Sequence, residues 1–126
     1  MSDRPTVLVA DDDADICELV AFRLRRMSCE AVVVNDGAEA LRMATELRPD
    51  LAILDVMMPE HDGFEVTRRL RAQDRTADLP VLLLTARSSD SDVEEAFAAG
   101  ANDYVRKPFS PQELTARVRA LVGADR

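Results

Sequence analysis

The stretch Val7-Leu8-Val9-Ala10-Asp11-Asp12-Asp13 decides the reading of this chain: an apolar run of strand length that ends abruptly in acids. Similar short runs recur at Ala31-Val32-Val33-Val34, Leu51-Ala52-Ile53-Leu54, Val81-Leu82-Leu83-Leu84 and, more weakly, Tyr104-Val105. The first four lack the polar alternation of a one-sided sheet, which predicts strands covered on both faces. Between the runs, apolar residues return at three- and four-residue spacing: Ile16, Leu19, Val20, Leu24 and Met27; Ala40, Leu41, Ala44 and Leu47; Phe64, Val66 and Leu70; Leu114, Val118 and Leu121. Each set predicts a helix with one apolar stripe.

The punctuation agrees. Asn35-Asp36-Gly37 opens the second helix and Pro49-Asp50 closes it, Asp62-Gly63 opens the third, and Pro80 starts the fourth strand. Ser110-Pro111 places an N-cap before a proline at the first helical position, and Glu113 follows where the helix dipole favours an acid. Five strand-helix units in strict alternation predict the α/β class: an open, doubly wound parallel sheet with right-handed crossovers.

Length and composition bound the rest. At 126 residues the chain reads as one domain, with an ordered core over about residues 5–123 and no effector domain. A net charge of −8 disfavours direct binding to nucleic acid. The longest apolar runs are far shorter than the roughly 20 residues that cross a bilayer, so no membrane insertion is expected. Met1-Ser2-Asp3-Arg4-Pro5 has no signal-peptide pattern, and Cys17 and Cys29 lack metal or redox spacing and read as buried thiols. A reducing, cytoplasmic compartment fits these features.

In an open α/β sheet the site lies beyond the carboxyl ends of the strands. Asp11, Asp12 and Asp13 follow the first run, Asp55 the third, Thr85 the fourth, and Arg106, Lys107 and Pro108 the fifth. Two like charges about 4 Å apart repel by roughly 4 kcal/mol at an effective dielectric near 20. A cluster of Asp11, Asp12 and Asp55 therefore calls for a hard divalent cation, and Mg2+ suits carboxylates together with phosphate oxygens. Lys107 and Mg2+ offset the three carboxylates, leaving a pocket that a phosphoryl dianion can approach. Asp13 and Asp15 read instead as residues of a helix N-terminus.

These residues resemble a response-regulator receiver domain (CheY-like) of two-component signal transduction. The resemblance rests on Val7 to Asp13, Leu54-Asp55-Val56-Met57-Met58-Pro59 with Asp62-Gly63, Leu84-Thr85-Ala86, Gly100-Ala101-Asn102-Asp103-Tyr104 and Lys107-Pro108-Phe109. It implies a flavodoxin-like (βα)5 sheet of order 2-1-3-4-5. It also implies Asp55 as phosphoacceptor, attacking a phosphohistidine on a sensor histidine kinase or phosphotransfer protein. Mg2+, with Mn2+ or Ca2+ as substitutes, would be held by Asp12, Asp55 and the backbone carbonyl of Met57, and by Asp11 through water. Lys107 would pair with Asp55 and then with a phosphoryl oxygen, next to a cis Lys107-Pro108 bond. Thr85 and Tyr104 would carry the switch to the face of the fourth helix, fifth strand and fifth helix, where a downstream effector protein or domain binds.

The C-terminal run from Asp103-Tyr104 through Lys107-Pro108-Phe109-Ser110-Pro111 to Leu121 is similar to receivers joined to winged-helix DNA-binding domains, which commonly dimerise through salt bridges on that face. Here Asp92-Val93-Glu94-Glu95 offers no base and Asn102 replaces an acid, so only a weak homodimer is expected. Met57 and Arg87, at positions that modulate water access in the family, imply slow self-dephosphorylation. His61 lies in a turn and reads as a surface residue. Arg68, Arg69 and Arg71 read as the wet face of the third helix, and Arg23, Arg25 and Arg26 as that of the first, a helix that faces kinases in the family.

Competing readings are a haloacid-dehalogenase-type phosphatase with Asp11 as nucleophile, and a pseudo-receiver acting as a phosphorylation-independent interaction module. The phosphatase reading lacks the Thr or Val expected soon after DxD, where Asp15-Ile16 stands. A calcium loop fails at Ile16 and Phe22, and a dinucleotide fold fails for want of GxGxxG after the first strand.

Overall fold

A computed structural model of the chain describes residues 4–86 and 89–122. The elements alternate as expected: β1 (Thr6–Ala10), α1 (Ala14–Arg26), β2 (Glu30–Val34), α2 (Gly37–Leu47), β3 (Leu51–Asp55), α3 (Gly63–Arg71), β4 (Val81–Thr85), α4 (Asp90–Ala99), β5 (Asp103–Arg106) and α5 (Pro111–Val122). All strands are parallel, in the order β2-β1-β3-β4-β5. The polar residues Asp55 and Thr85, which end their apolar runs, belong to the strands themselves.

Side-chain alternation splits the core into two layers. Val7, Val9, Leu51, Ile53, Leu82 and Leu84 pack under α1 and α5 with Val20, Leu24, Leu114 and Val118. Leu8, Ala10, Ala52, Leu54, Val81 and Leu83 pack under α2, α3 and α4 with Ala40, Phe64, Leu70 and Ala96. Neighbouring residues of one strand point to opposite faces, so an all-apolar strand must be covered twice.

The edge strand β2 departs from this. Its Glu30 and Val33 are exposed, so only three of the first four runs are fully covered. At the sheet margin only β1 flanks it, and Val33 borders an open groove beside α1 residues Ala14, Ala21 and Phe22. Leu19 and Leu47 also face outward, unlike the rest of their predicted stripes. In α1 the buried line runs through Cys17, Val20, Ala21 and Leu24 instead, because the small Cys17 and Ala21 let the helix approach the sheet.

The helix starts are capped as the sequence implies. Asp13 accepts from the backbone N–H groups of Asp15 and Ile16, Asp36 from Glu39, Asp62 from Glu65, and the Ser110 hydroxyl from Glu113. These oxygens satisfy first-turn donors that have no partner within the helix.

Two arginine expectations are corrected. Arg71 is half-buried, donating to the carbonyls of Gly100 (3.0 Å) and Thr76 (3.3 Å) and to Asn102 Oδ1 (2.9 Å). Arg23 is also half-buried, with Nε 2.7 Å from Thr115 Oγ1 on α5. Both tie helix ends to neighbouring elements, which spacing along one helix does not reveal. Arg68 and Arg69 are exposed and pair with Glu65.

Candidate functional site

Parallel register brings the strand ends to one rim. Ala10 lies beside Leu54, Asp55 beside Leu84, and Thr85 beside Arg106. The residues following each partner are thereby stacked across the sheet. Carboxylate oxygens of Asp11, Asp12 and Asp55 lie within 4.8 Å of one another. Asp11 and Asp55 are buried, whereas Asp12 is exposed.

Lys107 joins this cluster from the far edge strand. Its Nζ lies 3.0 Å from Asp11 Oδ2 and 3.1 Å from Asp55 Oδ1. The pairing of Lys107 with Asp55 was expected; its equal engagement with Asp11 was not. Burial alone would lower the Lys107 pKa, but hydrogen bonds to Asp11 and Asp55 and their charges outweigh it and hold it above the ordinary lysine value.

Asp55 behaves differently. Only 4% exposed, its carboxyl is pushed up to about 6 by burial; the Lys107 hydrogen bond opposes the rise and the Asp11 charge adds to it. One ammonium shared between two carboxylates does not balance both. Three carboxylates and one lysine leave two negative charges, which a divalent cation balances. An all-oxygen donor set with one open, exposed carboxylate fits Mg2+ by the hard-ligand preference of that ion.

Asp11 is fully engaged. Its Oδ1 accepts the Asp13 N–H (3.0 Å) and its Oδ2 accepts from Lys107. Its carbonyl accepts from Cys17 Sγ (3.2 Å) and Asn35 Nδ2 (3.4 Å). Sequence reading did not find these supports, since neither residue type carries a signal at that spacing. Burial raises the Cys17 thiol pKa, and the Asp11 charge adds to this, consistent with a packed, unreactive thiol.

Thr85 ends β4 as a buried hydroxyl, and its carbonyl accepts the Lys107 N–H at 2.8 Å. A slot without room for a water molecule lies between Thr85 and Tyr104, lined also by Val56, Phe64, Leu83 and Ala96. Tyr104 is half-buried, its ring meeting Phe97 edge-on at 5.9 Å between centroids. The Lys107-Pro108 peptide is cis, as expected. The Met57 side chain is 61% exposed, while Arg87 lies outside the described residues.

Residues 7–119 match the family model for the response regulator receiver domain. The chain belongs to the response-regulator receiver family. It is 45% identical over 118 residues to the DNA-binding dual master transcriptional regulator RpaA of Synechocystis sp., covering 94% of this chain and 49% of that protein. The chain spans about half the length of the curated relatives it matches. Among solved structures it is similar to a putative response regulator from Chloroflexus aurantiacus, with TM-score 0.91, 39% identity and coverage of 96% and 99% of the two chains. It is also similar to the receiver domain of sensor histidine kinase PA1611 from Pseudomonas aeruginosa, with TM-score 0.88, 32% identity and coverage of 95% and 98%. That structure has a magnesium ion coordinated in its active-site cleft.

The receiver fold explains the rim of acids, and the domain is a phosphorylation-activated switch of two-component signalling. Among the described residues no helix is long and apolar enough to cross a membrane.

Proposed function

We propose that this receiver accepts a phosphoryl group on Asp55 from a phosphohistidine of a sensor kinase or phosphotransfer protein. The observation that carries this reading is the Lys107 ammonium held between Asp11 and Asp55 beside the exposed Asp12. An Asp55 oxygen attacks phosphorus, a P–O bond forms, the P–N bond breaks, and the electron pair leaves on the imidazole nitrogen. Lys107 is placed to transfer its hydrogen bond from the Asp55 carboxylate to a phosphoryl oxygen. Asp12, Asp55 and the Met57 carbonyl would hold Mg2+, with Asp11 acting through water, and Mn2+ or Ca2+ as substitutes. The bound cation supplies neutralisation of charge spreading over the phosphoryl oxygens.

Asp11 is the weaker nucleophile, because both its oxygens are engaged in a buried setting. This favours the receiver chemistry over the phosphatase alternative. Incubation with acetyl phosphate and Mg2+, followed by peptide mapping of the trapped acyl phosphate, tests the assignment. Label on Asp55 that disappears in Asp55→Asn supports it; label on Asp11 overturns it.

The added phosphoryl oxygens draw the Thr85 hydroxyl inward, and Tyr104 turns into the space released. This changes the α4-β5-α5 face that a downstream effector protein or domain reads. Within the chain Arg117 is already paired with Asp103 at 3.0 Å, and the described part of α4 carries no base, which supports only a weak homodimer through this face. The exposed Met57 screens the acyl phosphate from water, so its half-life in Mg2+ buffer is expected to be minutes rather than seconds.

For the kinase, the face of α1 offers Leu19 and Phe22, 47% and 59% exposed, beside a cleft of ≈ 100 Å3 lined by Phe109, Pro111 and Leu114. Large apolar side chains left in water next to a charged rim suit a transient protein partner. The reducing, cytoplasmic setting of such a partner agrees with two buried free cysteines.

A further inference from the structure

The loop between β3 and α3 carries Met57, and among the described residues the side-chain hydrogen bonds of Asp11 and Asp55 run to Asp13 and Lys107 and not to the middle of this loop. Two backbone junctions hold the loop. At its ends, the Gly63 N–H donates to the Val56 carbonyl at 2.9 Å, and an added Cβ on Gly63 would stand 2.6 Å from the Asp55 carbonyl oxygen. At its middle, the Gly37 N–H donates to the Pro59 carbonyl at 3.3 Å. Gly37 is the first residue of α2, directly after its N-cap Asp36. An added Cβ there would overlap the carbonyl oxygen of His61 and come within 2.7 Å of its carbonyl carbon and 2.9 Å of its Cβ.

Gly37 is not among the residues with positive φ, so the constraint at this position is space and not backbone conformation. The loop seats on α2 only because residue 37 has no side chain. His61 is accordingly half-buried against α2 and not a free surface residue. Met57 lies between the junctions at Val56 and Pro59.

We propose that Gly37 is a positioning residue of the phosphorylation site: α2, through Gly37, seats the 57–62 loop and thereby aims the Met57 carbonyl at the cation. This rests on the assignment of Met57 to the metal made above. The supporting contact comes from an element that contributes nothing to the acidic cluster. Outer supports of this kind typically change metal affinity about 10- to 100-fold when removed.

The test compares Gly37→Ala with Gly100→Ala in the full chain. Gly100 has φ 107°, and an added Cβ would lie 2.7 Å from Arg71 Cγ, so this variant is strained without touching the loop. Both are expected to lower Tm. Only Gly37→Ala is expected to weaken Mg2+ binding by calorimetry, about tenfold or more, and to speed amide exchange in residues 58–62 without metal. Since linkage is reciprocal, Mg2+ must slow exchange of the Gly37 amide in the wild-type chain, a measurement that decides the matter even if the variant does not fold. Wild-type Mg2+ affinity in Gly37→Ala, or Gly37 exchange indifferent to Mg2+, overturns the proposal. Failure of the wild-type chain to bind Mg2+ saturably would overturn the site assignment itself, and the proposal with it.

Discussion

Lys107 Nζ lies 3.1 Å from Asp55 Oδ1 although 52 residues separate them in the chain. The parallel neighbours β3, β4 and β5 bring the two together, each strand end handing the site to the next. The pair is not self-sufficient. Asp11 claims the same ammonium at 3.0 Å, so two buried carboxylates compete for one positive charge.

The burial of Asp55 gives a pH dependence. Burial holds the folded Asp55 carboxyl at about 6, against an ordinary value of 3.8. Between these values the folded chain binds more protons than the unfolded one, so metal-free stability falls as pH rises through about 4 to 6. The full shift corresponds to on the order of 3 kcal/mol. Urea unfolding in EDTA is expected to show a shallower slope over this window for Asp55→Asn, and greater stability than wild type at pH 7. Parallel wild-type and variant curves would refute the raised Asp55 carboxyl.

Removing the lysine separates metal binding from chemistry. In Lys107→Ala, acetyl phosphate labelling is expected to fall by about 100-fold or more, as when a preorganised donor to a developing anion is lost. Mg2+ affinity should stay equal or tighten, because a competing cation has left the carboxylates. Calorimetry and labelling on the same sample read the two effects, and a parallel loss of both would show that Lys107 only holds the site together.

Tyr104 reports the switch directly, being the sole tyrosine in a chain without tryptophan. Its fluorescence is expected to change when a beryllofluoride phosphoryl mimic binds with Mg2+. Thr85→Ala should blunt this response while leaving Asp55 labelled. Phe97→Ala, which removes the edge-on neighbour at 5.9 Å, should alter the signal before any mimic is added. An undiminished response in Thr85→Ala would exclude the hydroxyl as the link.

Phe22 tests the kinase face. With Arg26 lying 5.9 Å over its ring, it is a large apolar group held in water. Phe22→Ala is expected to raise KM for a phosphorylated protein donor several-fold while acetyl phosphate labelling stays unchanged. Equal effects on both donors would assign Phe22 to stability instead of docking.

Arg71 tests the junction of α3 with the α4 C-terminus. Arg71→Ala leaves three acceptors short of a donor and is expected to cost about 1–3 kcal/mol in urea unfolding. Asn102→Asp keeps both acceptor roles, toward the Val81 N–H and Arg71, and is expected to be neutral or slightly stabilising.

Much of this was legible in the residues alone. Doubly covered strands need unbroken apolar runs, so β1, β3 and β4 announce themselves, and the polar residues that end them mark the functional rim. Asp11, Asp12, Asp55, Thr85 and Lys107 were therefore found by position along each run. The exposure of Val33, Leu19 and Phe22 was not, because hydrophobicity does not say which apolar side chains a neighbouring layer reaches. Nor was the half-burial of Arg23 and Arg71, whose partners lie on other elements.

The linear order of residues thus determined the alternation of elements and the chemical inventory of the rim, since both follow from local periodicity and from where apolar runs stop. Only the tertiary structure decided how one ammonium is divided between Asp11 and Asp55, and that Gly37 must be bare for the His61 backbone to pass. Those are distances between groups remote in the chain, set by strand register and helix seating, and local composition carries no trace of them.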